Sequence, residues 1–126
     1  MKMSECFRDL HSIIQVSEQN NDDPIVVRRI NTSDGPIYQQ IVSIEYVPDL
    51  EAFVVLNTVE VSGKNQLCLS EFFDWIKGFN RSHPTLKVYF DKKNKTELVK
   101  IEVGYLDNLF KMVVLEGESN EYYSGE

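Results

Sequence analysis

The segment Val42-Ser43-Ile44-Glu45-Tyr46 is matched further along the chain by Ile101-Glu102-Val103-Gly104-Tyr105. The same offset aligns Leu50 with Leu109, and Val54-Val55-Leu56 with Val113-Val114-Leu115. Three matches at one offset, without a gap, are typical of an internal repeat. We therefore predict a tandem duplication, with a first unit over residues 1–61 and a second over residues 66–117.

Each predicted unit opens with a helix. Ser4 and Ser70 stand just before apolar residues at helical spacing. A serine oxygen at the N-cap accepts a hydrogen bond from a free amide one turn later, so both serines are expected to begin helices. The spacing predicts helices over residues 4–17 and 70–80.

Three strands are predicted after each helix, because apolar and polar residues alternate there as they do in sheets with one buried face. The predicted strands cover residues 25–30, 38–46 and 52–60 in the first unit and 86–91, 97–105 and 110–116 in the second. The fold class is α+β: two α-β-β-β units share one compact domain, with helices packed on one face of antiparallel sheets. Residues 118–126 are acidic and polar, which predicts a flexible tail.

The arrangement of the strands is open at this stage. Two three-stranded sheets either join into one six-stranded sheet or pack as separate halves. An edge strand left free in either arrangement is a pairing site for a partner or a second copy, so a homodimer is one expected assembly.

Charge limits the partners. The chain has 126 residues, a net charge of −7 and a pI near 4.8. Nonspecific binding to nucleic acid requires Lys and Arg in place of counterions, so direct nucleic-acid binding is not expected. An acidic surface attracts basic protein surfaces and repels anionic lipid. The alternative is that the charge only keeps the protein soluble. We expect a protein partner with a basic surface and no membrane partner.

The sequence also bears on location. No N-terminal apolar run resembles a signal peptide, and no stretch approaches the roughly 20 apolar residues of a membrane span. These observations predict a cytoplasmic protein in which Cys6 and Cys68 are reduced thiols.

The patterns that carry catalytic chemistry are missing from the sequence. It has no P-loop, no G-x-G-x-x-G and no G-x-S-x-G elbow. Cys6 and His11 lie five residues apart on one predicted helix, which places them off the same face and argues against a nucleophile–base pair. A zinc site built from Cys6, His11, Cys68 and His83 is conceivable, but its spacing matches no known zinc motif. We predict no enzymatic activity, no metal and no cofactor.

Candidate contact residues follow from the acidity and from one tryptophan. If Phe72, Phe73, Ile76 and Phe79 form the core face of the second helix, Trp75 is peripheral. An exposed tryptophan often anchors an interface, and the alternative is that Trp75 covers the edge of the core. The predicted partner-binding residues are Trp75, Asp22, Asp23, Asp107, Glu116, Glu118 and Glu121.

A short helix, a proline-led strand and a meander with Ser43-Ile44-Glu45-Tyr46 and Phe53-Val54-Val55-Leu56 together resemble small accessory proteins of bacteriophages and mobile elements. The resemblance covers each half once and transfers no functional residue. It implies a protein that blocks a host complex, as anti-CRISPR and anti-restriction proteins do. The size and pI also resemble those of type III secretion chaperones, which end in a helix that is not predicted here.

The predicted function is therefore a non-catalytic, acidic, protein-binding protein of the phage type. It would inhibit a host defence complex by acting on a basic nucleic-acid-binding surface. The alternatives are a small-ligand or nucleotide sensor and a secretion-chaperone-like adaptor.

Overall fold

A computed structural model describes residues 1–16, 23–30, 35–61, 67–91, 96–106 and 110–118. The described residues form two helices and six strands, which confirms the α+β class. In chain order they are α1 (Met3–Val16), β1 (Ile25–Ile30), β2 (Ile37–Val47), β3 (Phe53–Glu60), α2 (Leu69–Ser82), β4 (Lys87–Phe90), β5 (Thr96–Leu106) and β6 (Phe110–Glu118).

The six described strands close into a barrel in the order β1-β2-β3-β4-β5-β6. Neighbouring strands are antiparallel except at two seams, where β3 pairs with β4 and β1 pairs with β6 in parallel. The strands thus join into one sheet, not two separate halves. Closure gives each described strand two neighbours, so none of them is the wholly free edge strand that was considered as a pairing site.

The first amides of the helices bond to residues that lie just before β4 and β1, and not to serine caps. Met3 N–H donates to Leu86 O at 2.8 Å, and Leu69 N–H donates to Asp23 O at 2.9 Å. The N-cap of α2 is Cys68, which is extended and makes no side-chain cap hydrogen bond. The predicted caps are therefore wrong: Ser4 and Ser70 lie inside the first turns, since the adjacent strands already satisfy the first amides.

The core joins the inner surface of the barrel to the two helices. Alternate strand residues such as Val27, Leu56 and Leu115 are fully buried there. Because the residues that precede α1 and α2 pair with the starts of β4 and β1, the helices occupy that end of the barrel. Their buried residues are Met3, Cys6, Leu10, Leu69, Phe72 and Ile76.

The ladder registers depart from the ungapped sequence match. Ile44 pairs with Leu56, and Ile101 pairs with Leu115. The sequence match also aligned Leu56 with Leu115, but it aligned Ile44 with Val103 and not with Ile101. The cause is that the β5–β6 hairpin is longer than the β2–β3 hairpin. Three residue pairs follow Val103–Val113 before the turn of the first, whereas one pair follows Tyr46–Val54 before the turn of the second. In this register the bulges of β2 and β5, at Val42 and Val99, fall at matching positions.

Candidate functional site

The structure describes the side chains of three of the residues predicted to bind a partner, namely Trp75, Asp23 and Glu116. Trp75 is half-buried and packs against the core. Asp23 was expected to be exposed, and this is wrong: its exposed fraction is 8%, because it lies where β1 meets the start of α2. Asp22, Asp107 and Glu121 lie outside the described residues, as does the side chain of Glu118.

Glu116 is described, and it belongs to an ion-pair cluster on the outer face of the barrel. Arg28 Nε donates to Glu116 Oε1 at 3.0 Å, and the Arg28 guanidinium also pairs with Glu102. The Lys100 ammonium lies 3.1 Å from Glu102 Oε2. The hydrogen bond from Lys100 lowers the pKa of Glu102 against an opposing effect of burial, and Arg28 lowers it further. Glu116 is therefore already paired with Arg28, which makes it less available to contact a basic partner.

A second polar cluster lies inside the barrel, at the end opposite the helices. Arg29 follows the buried Val27 on the inner face of β1, and its guanidinium pairs with Asp91. It also donates to Thr96 Oγ1 and Thr58 Oγ1, both at 3.3 Å. Arg29 Nε finds no partner among the described residues. The ion pair and the threonines account for most of this cluster, which closes the end of the core.

The described residues do not assemble a metal site. No group of three or more His, Cys, Asp or Glu side chains within them is placed to hold a metal ion. Cys6 is buried in the core, whereas His11 is exposed and stacks on Phe7, with ring centroids 5.9 Å apart. His83 stacks instead on Tyr46, at 4.5 Å. The four residues considered for zinc are thus held by different neighbours.

The two thiols have different environments, which gives a first testable prediction. Burial raises the pKa of Cys6 to about 12, whereas Cys68 is half-exposed and its Sγ lies 3.1 Å from Glu71 Oε1. Because the thiolate is the reactive form, we expect an aromatic disulfide reagent at pH 8 to modify Cys68 quickly and Cys6 only on unfolding. Absorbance would report one fast thiol per chain, and none in a Cys68→Ser control. Equal rates for both thiols would contradict this placement.

An aromatic cluster joins the outer sides of the helices. The rings of Phe7 on α1 and Phe73 on α2 stack with centroids 5.5 Å apart, and His11 lies 6.0 Å from Phe73. Both phenylalanines are half-buried and pack against the core. This cluster therefore fastens one helix to the other.

Several exposed apolar side chains lie on β2 and β3 or directly after β3. Tyr38, Val42, Val59 and Val61 are exposed at 53%, 47%, 44% and 48%. Val59 pairs with Gln40, and Glu60 pairs with Gln39 at the end of the ladder; Val61 directly follows Glu60, and Tyr38 directly precedes Gln39. Gln40, between Tyr38 and Val42 in sequence, is buried. These four exposed residues belong to the neighbouring strands β2 and β3 or directly follow β3, and we call them together the apolar strip.

The apolar strip was not predicted from the sequence. Alternation identifies the two faces of a strand but does not show which neighbouring chain segments cover the outer face. The alternation Val42-Ser43-Ile44-Glu45-Tyr46 predicts Val42 on the buried face with Ile44, and this is wrong for Val42, which is exposed. The bulge at Val42 shifts the facing pattern in mid-strand.

Comparison with known proteins gives no relative from which a function could be transferred. No protein-family model matches the sequence, and neither a curated protein nor a solved structure matches it. Within the described residues, neither helix is long and apolar enough to cross a membrane.

Proposed function

We propose that this protein is a non-catalytic binding protein that engages a protein partner through the apolar strip. The observation that carries the proposal is the grouping of Tyr38, Val42, Val59 and Val61 on one outer face. Contiguous exposed apolar surface on a small protein commonly marks an interaction site, whereas scattered apolar residues do not. The described barrel interior, in contrast, is occupied by core side chains and does not favour a small-ligand sensor.

The charge of the chain supports a partner with a basic surface. The net charge is −7, and Glu60 is exposed within the segment that holds Val59 and Val61. Complementary charge around an apolar contact increases the association rate and discriminates against other acidic surfaces. Salt should therefore weaken binding, because exposed charges are screened beyond about 8 Å at physiological ionic strength.

A matched pair of variants tests the strip. Val59→Asp places a charge inside it, whereas Val99→Asp places the same charge on an exposed bulge residue of β5 outside it. We expect Val59→Asp to weaken binding of the captured partner at least about tenfold, or about 1.4 kcal/mol, since a desolvated charge replaces an apolar contact. Val99→Asp should leave the affinity unchanged.

The measurement is a titration of the purified partner, identified by capture from the source cell, against both variants. Thermal melts would establish that both variants fold. Equal affinity of Val59→Asp and the unmodified protein would contradict a role for the strip, and affinity unchanged by salt would leave the acidity to solubility alone.

A narrower form of the proposal is inhibition of a host defence complex. It is supported by the acidity and by the resemblance to phage accessory proteins, since an acidic protein competes with nucleic acid for a basic groove. The partner would then release nucleic acid when this protein is added. Simultaneous binding of both ligands to the partner would exclude blockade of its groove.

Trp75 remains a proposed contact as well. Because it packs against the core, Trp75→Ala is expected to lower stability along with any binding, which makes it a poorer test than Val59. A Trp75→Ala variant with unchanged affinity at a temperature where it remains folded would remove it from the interface.

We also propose that the two α-β-β-β runs are copies of one ancestral unit. The contacts at the two helix starts support this, because each helix start pairs with the beginning of the first strand in the other run. Met3 N–H donates to Leu86 O, and Leu69 N–H donates to Asp23 O. The bridge between Lys2 and Lys87 likewise has a counterpart between Cys68 and Pro24. An experimental structure in which the bulges of β2 and β5 lay at different ladder positions would argue against a duplication.

A further inference from the structure

The two parallel seams of the barrel differ in length. The β1–β6 seam pairs six residues, from Ile25 with Val113 to Ile30 with Glu118. The β3–β4 seam pairs four, ending at Leu56 with Phe90. Beyond Leu56, β3 keeps its ladder with β2 up to Glu60 but has no strand partner on its other side among the described residues.

Asp91 explains why the second seam stops early. Its φ of 57° is left-handed, a conformation that aspartate tolerates better than most residues and that ends an extended strand. Its backbone N–H donates to Leu56 O at 3.3 Å, and its carboxylate accepts from Thr58 N–H at 3.4 Å. β4 thus ends beside Asp91, whose side chain accepts from the first β3 amide beyond the described seam, that of Thr58.

The next groups along that edge belong to Glu60. Leu56 O and Thr58 N–H face the β4 side of β3, where both bond to Asp91, and alternate residues of a strand direct their backbone groups to the same side. The backbone of Glu60 therefore faces that side too. No described residue forms a backbone hydrogen bond with it there. Such an edge is a template for another strand.

The side chains beside this edge indicate what would pair with it. Val59 and Val61 are 44% and 48% exposed, and Glu60 between them is exposed as well. We propose that residues 58–61 accept an extended peptide segment of the partner, with apolar residues alternating with Lys or Arg, as an added strand. This inference rests on the proposed function, because it specifies how the apolar strip is engaged.

Charge favours a foreign segment over a second copy of this chain. Antiparallel pairing of two such edges would bring two Glu60 side chains close together, and each chain carries a net charge of −7. Like charges opposite one another destabilise a strand pair, whereas a Lys or Arg opposite Glu60 stabilises it. The occupant is therefore a basic and apolar strand.

The test uses a fluorescent, acetylated and amidated peptide of sequence KVKVKVKV and anisotropy titrations with the folded full chain. Two further peptides are N-methylated at every lysine or at every valine, which removes the amide donors along one edge without changing charge. We expect at least one of the two methylated peptides to bind about tenfold or more weakly than the parent peptide. We also expect Glu60→Lys to weaken binding of the parent peptide by a similar factor, and Val99→Asp to have no effect.

Amide hydrogen exchange followed by NMR supplies the direct readout. The Glu60 amide should become protected when the peptide binds, and a helix amide such as that of Lys77 should not change.

Equal affinity of all three peptides, or no protection at Glu60, would overturn strand addition. If Val59→Asp still abolished capture of the partner, the proposed function would survive that failure. A mass of two chains in light scattering without peptide, lost in Val59→Asp, would instead overturn the inference in favour of a second copy.

Discussion

Replacing Phe72 with alanine should lower the free energy of unfolding by about 3–5 kcal/mol, the usual cost of deleting a buried aromatic ring. Phe72 is fully buried and lies on α2, where it packs into the core that the barrel and the helices share. The loss combines the removed apolar area with the cavity left behind, because neighbouring side chains relax only in part. Urea titrations of both proteins, followed by circular dichroism, would measure it.

Phe73 provides a control that is adjacent in sequence and of the same chemical type. It is half-buried and stacks on Phe7 at the outer side of the helices. Phe73→Ala should therefore cost about 1 kcal/mol, the scale of an aromatic pair with partial burial. Losses of similar size at the two positions would mean that α2 is rotated relative to the barrel from the arrangement described.

Replacing Gly117 with alanine should destabilise the protein by about 1–3 kcal/mol, the range for overpacking a filled core. A Cβ at this position would lie 2.7 Å from Cδ2 and Cε2 of Phe90 and 3.0 Å from Thr96 Cγ2. Gly78 is the matched control, since a Cβ there meets nothing within 4 Å on an exposed turn of α2. Gly78→Ala should stabilise by about 0.5–1 kcal/mol, because glycine disfavours a helix interior.

The contact between Gly117 and Phe90 is separable from other effects by a double-mutant cycle. In a Phe90→Leu background the ring atoms that meet the new Cβ are gone, so Gly117→Ala should cost less than in the unmodified chain. Thermal melts of the four proteins would give the coupling. Additive losses would show that the penalty at Gly117 does not come from the Phe90 ring.

The sequence predicted the elements of the fold better than their assembly. Helix and strand positions follow from periodicity, which is a local property, and all eight described elements lie close to the predicted ranges. Closure of the barrel depends on pairing between Ile25 and Val113 and between Val54 and Val88, which are far apart in the chain. Periodicity carries no information about which distant strands pair. The helix starts were misassigned for the same reason, since their first amides are satisfied by distant strands.

Of the candidate site, only the acidity of the chain was predictable from the sequence, and the positions of the contact residues were not. Net acidity is a property of composition, but whether a given carboxylate is free depends on its spatial neighbours. Asp23 is buried at the junction of β1 and α2, and Glu116 is paired with Arg28. Val59 and Val61 lie beyond the end of the β3–β4 seam, which stops before Asp91, and the sequence does not signal this break in pairing.

The β1–β6 seam also fixes the order of events when the chain is synthesised. Residues near the start of the barrel, from Ile25 onward, wait for Val113 and its successors, which are among the last of the described residues to leave the ribosome. Until then β1 can pair only with β2, and one of its edges stays exposed to water and to other nascent chains. Contacts that join distant parts of a chain slow folding, because the entropy of loop closure is lost before the pairing stabilises the structure. In the closed barrel, β6 therefore supplies the second pairing partner of β1.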